Sequence, residues 1–243
     1  MVSSNSFHFH NLSQFPNLFH VVSTKKDGSM KGKEGLGMPM IVSFMAAHAL
    51  PSNKFILAQQ VHGGKSALVS ASPNDRVIKD VDALLTSGSE TFLGVVTADC
   101  LPILLYDSKK NIVGTIHAGF KGLLAQVIPN TLEELRMLGS DLHDVWVGIG
   151  PAIGVCCYEV SEDRIALFKS AFPSYTGWYR KVGEKYFLDL QRIAVLSLEE
   201  AGIHAEHIET ANICTFDHND TFFSYRAEGP EEFGEFISII GLK

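Results

Sequence analysis

The feature that most constrains this chain is a crowd of short apolar runs in its middle third. Residues 81–86, 92–98, 102–106 and 112–117 are each rich in Val, Ile, Leu or Phe, and turn residues separate them. Runs this short and partly β-branched read as strands, so the core is sheet-rich. Residues 54–61 and 67–71 add two short strands before them. Residues 145–149 add a buried strand that ends at Gly150-Pro151, and residues 235–242 read as a closing strand.

Helical periodicity appears only where this pattern stops. Leu124, Ile128, Leu132, Leu135 and Leu138 recur at helical spacing between Lys121 and Leu138, with Gly139 just past the end. Pro129 inside the stretch predicts a kink or break. Residues 163–172 read as a helix. Asp189 can cap another, with Leu190, Ile193, Ala194, Leu196 and Ala201 on one side and Gly202 as terminator. Residues 1–50 are poorly specified: Gly28, Gly32, Gly35 and Gly37 among Lys25, Lys26, Lys31 and Lys33 predict an irregular, mobile loop. No repeat or Pro/Ser-rich linker divides the chain, so residues 1–243 are expected to form one α/β domain.

Composition narrows the function classes. With 46% hydrophobic and 19% charged residues in 243, the chain can bury a substantial core. A net charge of -7 and the lack of a dense Lys/Arg run argue against a nucleic-acid polymer as partner, while a mononucleoside needs only a pocket. No basic start followed by an apolar run is visible, nor any membrane-length apolar stretch, so a cytoplasmic location is the expectation. Cys100, Cys156, Cys157 and Cys214 are too few for a disulfide scaffold, and the adjacent two could bridge only with strain.

Reactive side chains collect where the expected strands end. His62 follows Gln59-Gln60-Val61, Cys100 follows Thr97-Ala98-Asp99, and His117 precedes Ala118-Gly119. One Cys and two His can hold zinc and leave a fourth position for water, whose pKa then falls to about 7. The same residues read equally well as a buried cysteine with two structural histidines. Asp99 is a candidate general base, an acceptor that orients a ligand histidine, or a loop cap. Asp82 suits a strand-edge turn. Lys121 in the first turn of a helix could hold phosphate together with Arg226, or both could be solvated surface cations. Cys157 reads as a small buried residue more readily than as a nucleophile. His8-Phe9-His10 is a single His-X-His pair, far short of what a multinuclear copper oxidase gathers.

Five motifs occur in order: Gln60-Val61-His62-Gly63; Thr97-Ala98-Asp99-Cys100-Leu101-Pro102-Ile103; His117-Ala118-Gly119-Phe120-Lys121-Gly122; Gly150-Pro151-Ala152-Ile153-Gly154 with Cys157-Tyr158-Glu159-Val160; and Phe222-Phe223-Ser224-Tyr225-Arg226. Together, from about residue 55 to the C-terminus, they resemble the YfiH/YlmD family. That family is variously labelled multicopper polyphenol oxidoreductase (laccase), peptidoglycan editing factor, and purine nucleoside phosphorylase with adenosine deaminase activity. Asp82, in Val81-Asp82-Ala83-Leu84-Leu85-Thr86, also resembles a family motif. The resemblance implies a layered α/β/β/α sandwich with mixed β-sheets, similar to the deamidase domain of the cytotoxic necrotizing factor toxins. It implies a metal site at His62, Cys100 and His117, holding zinc or copper. It further implies small-molecule substrates: adenosine deaminated to inosine, and adenosine, inosine or methylthioadenosine cleaved with phosphate. Its other labels imply an amidase-type editor of peptidoglycan precursors or a polyphenol oxidase; a metal-binding protein without turnover is the non-enzymatic alternative. Phe120-Lys121 replaces the usual Trp-Arg, which keeps an aromatic face and a charge but loses an indole donor and a planar two-pronged contact. The N-terminal segment also lacks the usual Asn-Leu-Gly signature.

Overall fold

Alternate residues of the apolar runs face opposite ways, and this divides them among three buried layers in a computed structural model that describes residues 6–32, 35–70 and 76–243. A five-stranded sheet runs in the order Leu18–Val22, Phe236–Leu242, Phe92–Thr97, Phe55–Ala58, Val77–Ile78. A six-stranded sheet runs Ile208–Thr210, Val145–Ile149, Leu101–Asp107, Ile112–Ala118, Ala83–Thr86, Ser66–Leu68. Both are mixed: in the first sheet the pairings of Phe55–Ala58 with its two neighbours are parallel. In the second, the two outermost pairings are parallel and the inner ones antiparallel.

Ile56, Ala58, Leu93, Val95, Phe236 and Ile240 of the first sheet meet Leu84, Leu104, Tyr106 and Val113 of the second. The opposite side of the first sheet, with Phe55, Leu57, Ile237 and Ile239, packs on Ile41, Phe44 and Met45 of the helix Met38–Ala47. The opposite side of the second, with Leu85, Ile103, Leu105 and Ile116, packs on Ile128, Leu132 and Leu135 of Val127–Met137. Ile193, Ala194 and Leu198 of Leu190–Glu200 join the same cluster. The order is therefore helix, sheet, sheet, helix. Because both faces of each sheet are covered, the strands read as continuous apolar runs without alternation. A three-stranded sheet, Glu159–Val160, Lys185–Leu188 and Tyr179–Val182, flanks this core.

The long expected helix is two. Phe120–Leu124 and Val127–Met137 are separated at Gln126, whose φ of 61° is left-handed. The break precedes Pro129, which sits in the first turn of the second helix, where a missing N–H costs no intrahelical bond. Residues 163–172 form the helix Glu162–Ala171, and Asp189 caps Leu190–Glu200 by accepting from the Arg192 N–H at 2.9 Å. That helix buries Ser197 and Leu198 rather than Leu196.

The N-terminal segment carries more structure than its residues suggest. Leu18–Val22 is wholly buried and pairs antiparallel with Phe236–Leu242. Its central His20 is held neutral, its pKa pushed down to about 4 by burial and then by His8 beside it. The glycine-lysine stretch, expected to be irregular, holds a 3₁₀ turn closed by a Thr24/Asp27 capping box and a hairpin of Lys31–Gly32 with Gly35–Leu36. Residues 1–5, Lys33 and the end of the expected strand at Ala71 lie outside the described residues. Among the described residues, no helix is long and apolar enough to cross a membrane.

Candidate metal centre

His62, Cys100 and His117 come from three places around the junction of the two sheets. His62 lies beyond Phe55–Ala58 of the five-stranded sheet. Cys100 lies in the turn that carries the chain from Phe92–Thr97 in one sheet to Leu101–Asp107 in the other. His117 is the penultimate residue of Ile112–Ala118, paired with Pro102. Gln60 extends the first strand by proxy: its side-chain amide donates to the Val96 carbonyl at 2.7 Å and accepts from the Val96 N–H at 2.8 Å. His62 then takes a left-handed φ of 58°.

Asp82, fully buried, holds two of the three. Its carboxylate lies 2.8 Å from His117 Nδ1, and it accepts the backbone N–H groups of Val61, His62 and Gly63 at 3.3, 2.9 and 2.7 Å. Occupying Nδ1 leaves Nε2 of His117 to face the cluster. His62 Nε2 is 3.9 Å from Cys100 Sγ, and the two imidazole rings meet edge to face at 4.7 Å. One donor atom from each residue lies within 4.8 Å of the others. Around tetrahedral zinc such atoms would sit roughly 3.3–3.6 Å apart, a small contraction from this arrangement. Gly119 keeps the centre open, since a Cβ there would fall 2.6 Å from Cys100 Sγ and 3.3 Å from His62 Cδ2. The donor set of one thiolate and two imidazoles, the carboxylate behind His117 and the open side at Gly119 all fit a metal with a free coordination position.

The electrostatics are those of a poised ligand set. Burial disfavours a thiolate at Cys100, but the charge of His117 and hydrogen bonds from His117 and His62 outweigh it, and the thiol is pulled down to about 6. Burial likewise opposes charge on His117; the Cys100 thiolate and the Asp82 carboxylate prevail and raise it to about 9.

The three residues line a cavity of about 490 Å³. Arg164 and Arg226 line it too, each beside an aromatic ring: the Arg164 guanidinium lies 4.7 Å from the Phe120 ring centre, and that of Arg226 lies 5.2 Å from that of Tyr158. Glu235 contributes a carboxyl that burial pushes up, against the charge of Lys31. Arg164 and Glu235 carry no signal in the sequence, because a helix-surface arginine and a strand-start glutamate are ordinary solvated residues.

Of the other expected site residues, Asp99 and Arg226 line the cavity, and Lys121 and Cys157 do not. Asp99 lines the cavity, but its oxygens are occupied by the Thr215 hydroxyl at 2.6 Å and the Arg226 N–H at 2.7 Å. The orienting carboxylate behind a ligand histidine is Asp82 instead. Lys121 is exposed and is not part of the cavity wall; its neighbour Phe120 is, and the cation beside Arg226 is Arg164. Cys157 is half-buried and also outside the wall, which takes the adjacent Tyr158. Its thiol donates to Asp217 at 3.1 Å. His8 bonds the His20 carbonyl through Nδ1 at 2.9 Å, apart from the centre.

Similarity to known proteins identifies the family and the fold. The family described as multi-copper polyphenol oxidoreductase laccase matches residues 41–243. A Bacteroides thetaiotaomicron protein named purine nucleoside phosphorylase is 31% identical over 91% of this chain and 90% of its own length. The Bacillus subtilis purine nucleoside phosphorylase YlmD is 29% identical over 78% of this chain and 71% of its own. The crystal structure of YlmD from Geobacillus stearothermophilus superposes with a TM-score of 0.88 at 25% identity, covering 94% of this chain and 93% of that one. That of Bacillus licheniformis YfiH superposes with 0.83 at 25% identity, covering 93% of both. The ordered motifs, the layered sheets and a family match over residues 41–243 place the chain in the multi-copper polyphenol oxidoreductase laccase family, beside the YfiH and YlmD proteins.

Proposed function

We infer that the chain is a zinc-dependent purine nucleoside enzyme. It would cleave adenosine, inosine or methylthioadenosine with phosphate, and deaminate adenosine to inosine. The observation that carries this reading is the shared wall: the His62/Cys100/His117 cluster and the Arg164/Arg226 pair line one cavity of about 490 Å³, of a size for a single small ligand. The names of the relatives, purine nucleoside phosphorylase, supply the substrate class.

Zinc held by the three residues would supply an activated water at neutral pH. Asp82 keeps His117 in the tautomer that presents Nε2. The rings of Phe120, Tyr158 and Tyr225 offer flat apolar surfaces to a purine. Arg164 and Arg226 offer planar donors to phosphate. Glu235, its carboxyl raised, is suited to hold a proton for the leaving or entering nitrogen of the base. In deamination, water adds at the carbon bearing the amino group and ammonia leaves. In phosphorolysis, a phosphate oxygen replaces the base nitrogen at the sugar carbon, and the base leaves with a proton.

The test is to incubate the zinc-loaded protein with adenosine, with and without phosphate, and separate the products. Inosine is expected without phosphate, and adenine with ribose 1-phosphate when phosphate is present. Arg226→Ala should raise the KM for phosphate at least 10-fold while leaving inosine formation within a few-fold, because a charge-assisted bond to an anion is worth about 1.5–3 kcal/mol. Neither product above a His62→Ala control would overturn the reading.

A further inference from the structure

A second cluster of soft ligands lies apart from the first. Cys156, Cys157, Cys214 and Asp217 each place one donor atom within 4.8 Å of the others, and none of the four lines the cavity. The adjacent cysteines sit in a turn closed by two bonds to the Gly154 carbonyl, from the N–H groups of Cys157 and Tyr158, both at 3.0 Å. This turn lets both thiols point at one carboxylate: each donates to a different oxygen of Asp217 at 3.1 Å.

The third thiol arrives from a distant segment that is stitched to the first. The Thr215 N–H donates to the Ala152 carbonyl at 3.0 Å, and the Ala152 N–H to the Ile213 carbonyl at 3.2 Å. The Gly154 N–H donates to Cys214 Sγ at 3.2 Å. A Cβ on Gly154 would lie 3.1 Å from Cys156 Sγ, so glycine keeps the sulfurs accessible to one another. Arg180 fixes the turn from outside, donating to the carbonyls of Val155 and Cys156 at 3.1 and 3.0 Å. Cys156 and Asp217 are exposed, which gives an ion a way in.

The geometry points to a second metal site, in which Cys156, Cys157, Cys214 and Asp217 bind one thiophilic divalent cation, zinc by ligand type. Three sulfurs and one carboxylate oxygen complete a tetrahedral, closed set, which marks a structural rather than a catalytic ion. Sulfurs bound at about 2.3 Å sit roughly 3.8 Å apart, so the cluster closes by at most about 1 Å. Binding releases the thiol protons to solvent and replaces the S–H bonds to Asp217 with metal–ligand bonds. The ion would pin two loops that wall the cavity: the first continues into Tyr158, and the second is tied through the Thr215 hydroxyl to Asp99, beside Cys100.

The test uses a His62→Ala, Cys100→Ala chain, reduced, freed of metal and handled without oxygen. Its remaining thiols are Cys156, Cys157 and Cys214, so any sulfur-to-metal signal arises from them. Titration with cobalt(II) should give thiolate-to-cobalt absorption in the near ultraviolet, saturating at about one equivalent. Zinc should displace the cobalt and shield all three thiols from a thiol reagent. Adding Cys214→Ala should abolish the absorption, with circular dichroism confirming the fold. Asp217→Asn, which keeps every sulfur, should retain the band and weaken binding at least 10-fold. The site is refuted by absence of the cobalt band, by a band that survives Cys214→Ala, or by a disulfide involving Cys214 that zinc and mild reductant leave intact.

Discussion

Cys100 and His117 form a pair whose charges depend on each other, and in the metal-free chain that coupling can be measured. The Cys100 thiol is pulled down to about 6 from an ordinary 9.0, and His117 is raised to about 9 from 6.5. Alkylation of Cys100 should therefore rise with pH through a midpoint near 6, and His117→Ala should move the midpoint back up, because the cation that favours the thiolate is gone. The stability slopes have opposite signs. A depressed thiol adds stability as pH climbs above about 6, while a raised imidazole loses its contribution as pH climbs from 6.5 to about 9. Chemical denaturation of the metal-free chain should show little net slope from this pair between those limits. Asp82→Asn puts an amide where four donors converge. It should cost about 3–5 kcal/mol in stability and weaken metal affinity roughly 10–100-fold, read by denaturation and by metal titration. His62, Cys100 and His117 stand out in the sequence as reactive residues at strand ends, a position that suits a buried cysteine and two structural histidines equally well; the family resemblance is what marks them as a metal site. Asp82 was legible only as a turn residue, since nothing local tells a buried carboxylate that it will accept three backbone N–H groups and an imidazole.

Elements were readable where burial is two-sided and local. The runs at Phe92–Thr97, Leu101–Asp107 and Ile112–Ala118 match their expected bounds to within a residue, because covered strands select apolar residues at every position. Leu18–Val22 escaped for the opposite reason: its partner is Phe236–Leu242 at the far end of the chain, and a histidine stands in its middle. Pro129 signals a break in this stretch, but the break's position at Gln126 escaped, because a left-handed glutamine has no sequence signature and Pro129 itself sits where it does no harm. Gln60 offers a test at this scale. Its amide stands in for a backbone pairing with Val96, so Gln60→Ala would leave a buried N–H and carbonyl without partners. We expect a loss of about 2–6 kcal/mol, from about 1–3 per unsatisfied group. The substitution should also loosen His62, two residues on, and lower metal affinity. Gln60→Glu keeps an acceptor for the N–H but not the donor, and should fall between the two in stability.

Across the whole molecule, the candidate metal centre lies on the seam of the two sheets. His62 hangs from the five-stranded sheet, His117 belongs to the six-stranded one, and Cys100 sits on the turn that joins them. An ion held by all three would clamp the layers from their edge, in addition to the apolar interface formed by residues such as Leu93, Val95, Leu104 and Val113. Binding energy at such a site adds directly to folding energy, because the unfolded chain has no preformed ligand set. Free zinc at 100 times its dissociation constant should then stabilise the chain by about 2.7 kcal/mol, and by more as zinc rises. For a chain of this length each kcal/mol moves Tm by roughly 2–4 °C, so a rise of roughly 5–11 °C is expected. The Cys156/Cys157/Cys214/Asp217 site would add its own increment, so the measurement belongs in a Cys214→Ala chain. There, calorimetry against zinc concentration should show the rise, and His62→Ala should remove most of it. A Tm that ignores zinc in the Cys214→Ala chain would mean that the three residues do not bind the ion as a set, and that the seam is held by its apolar layers alone.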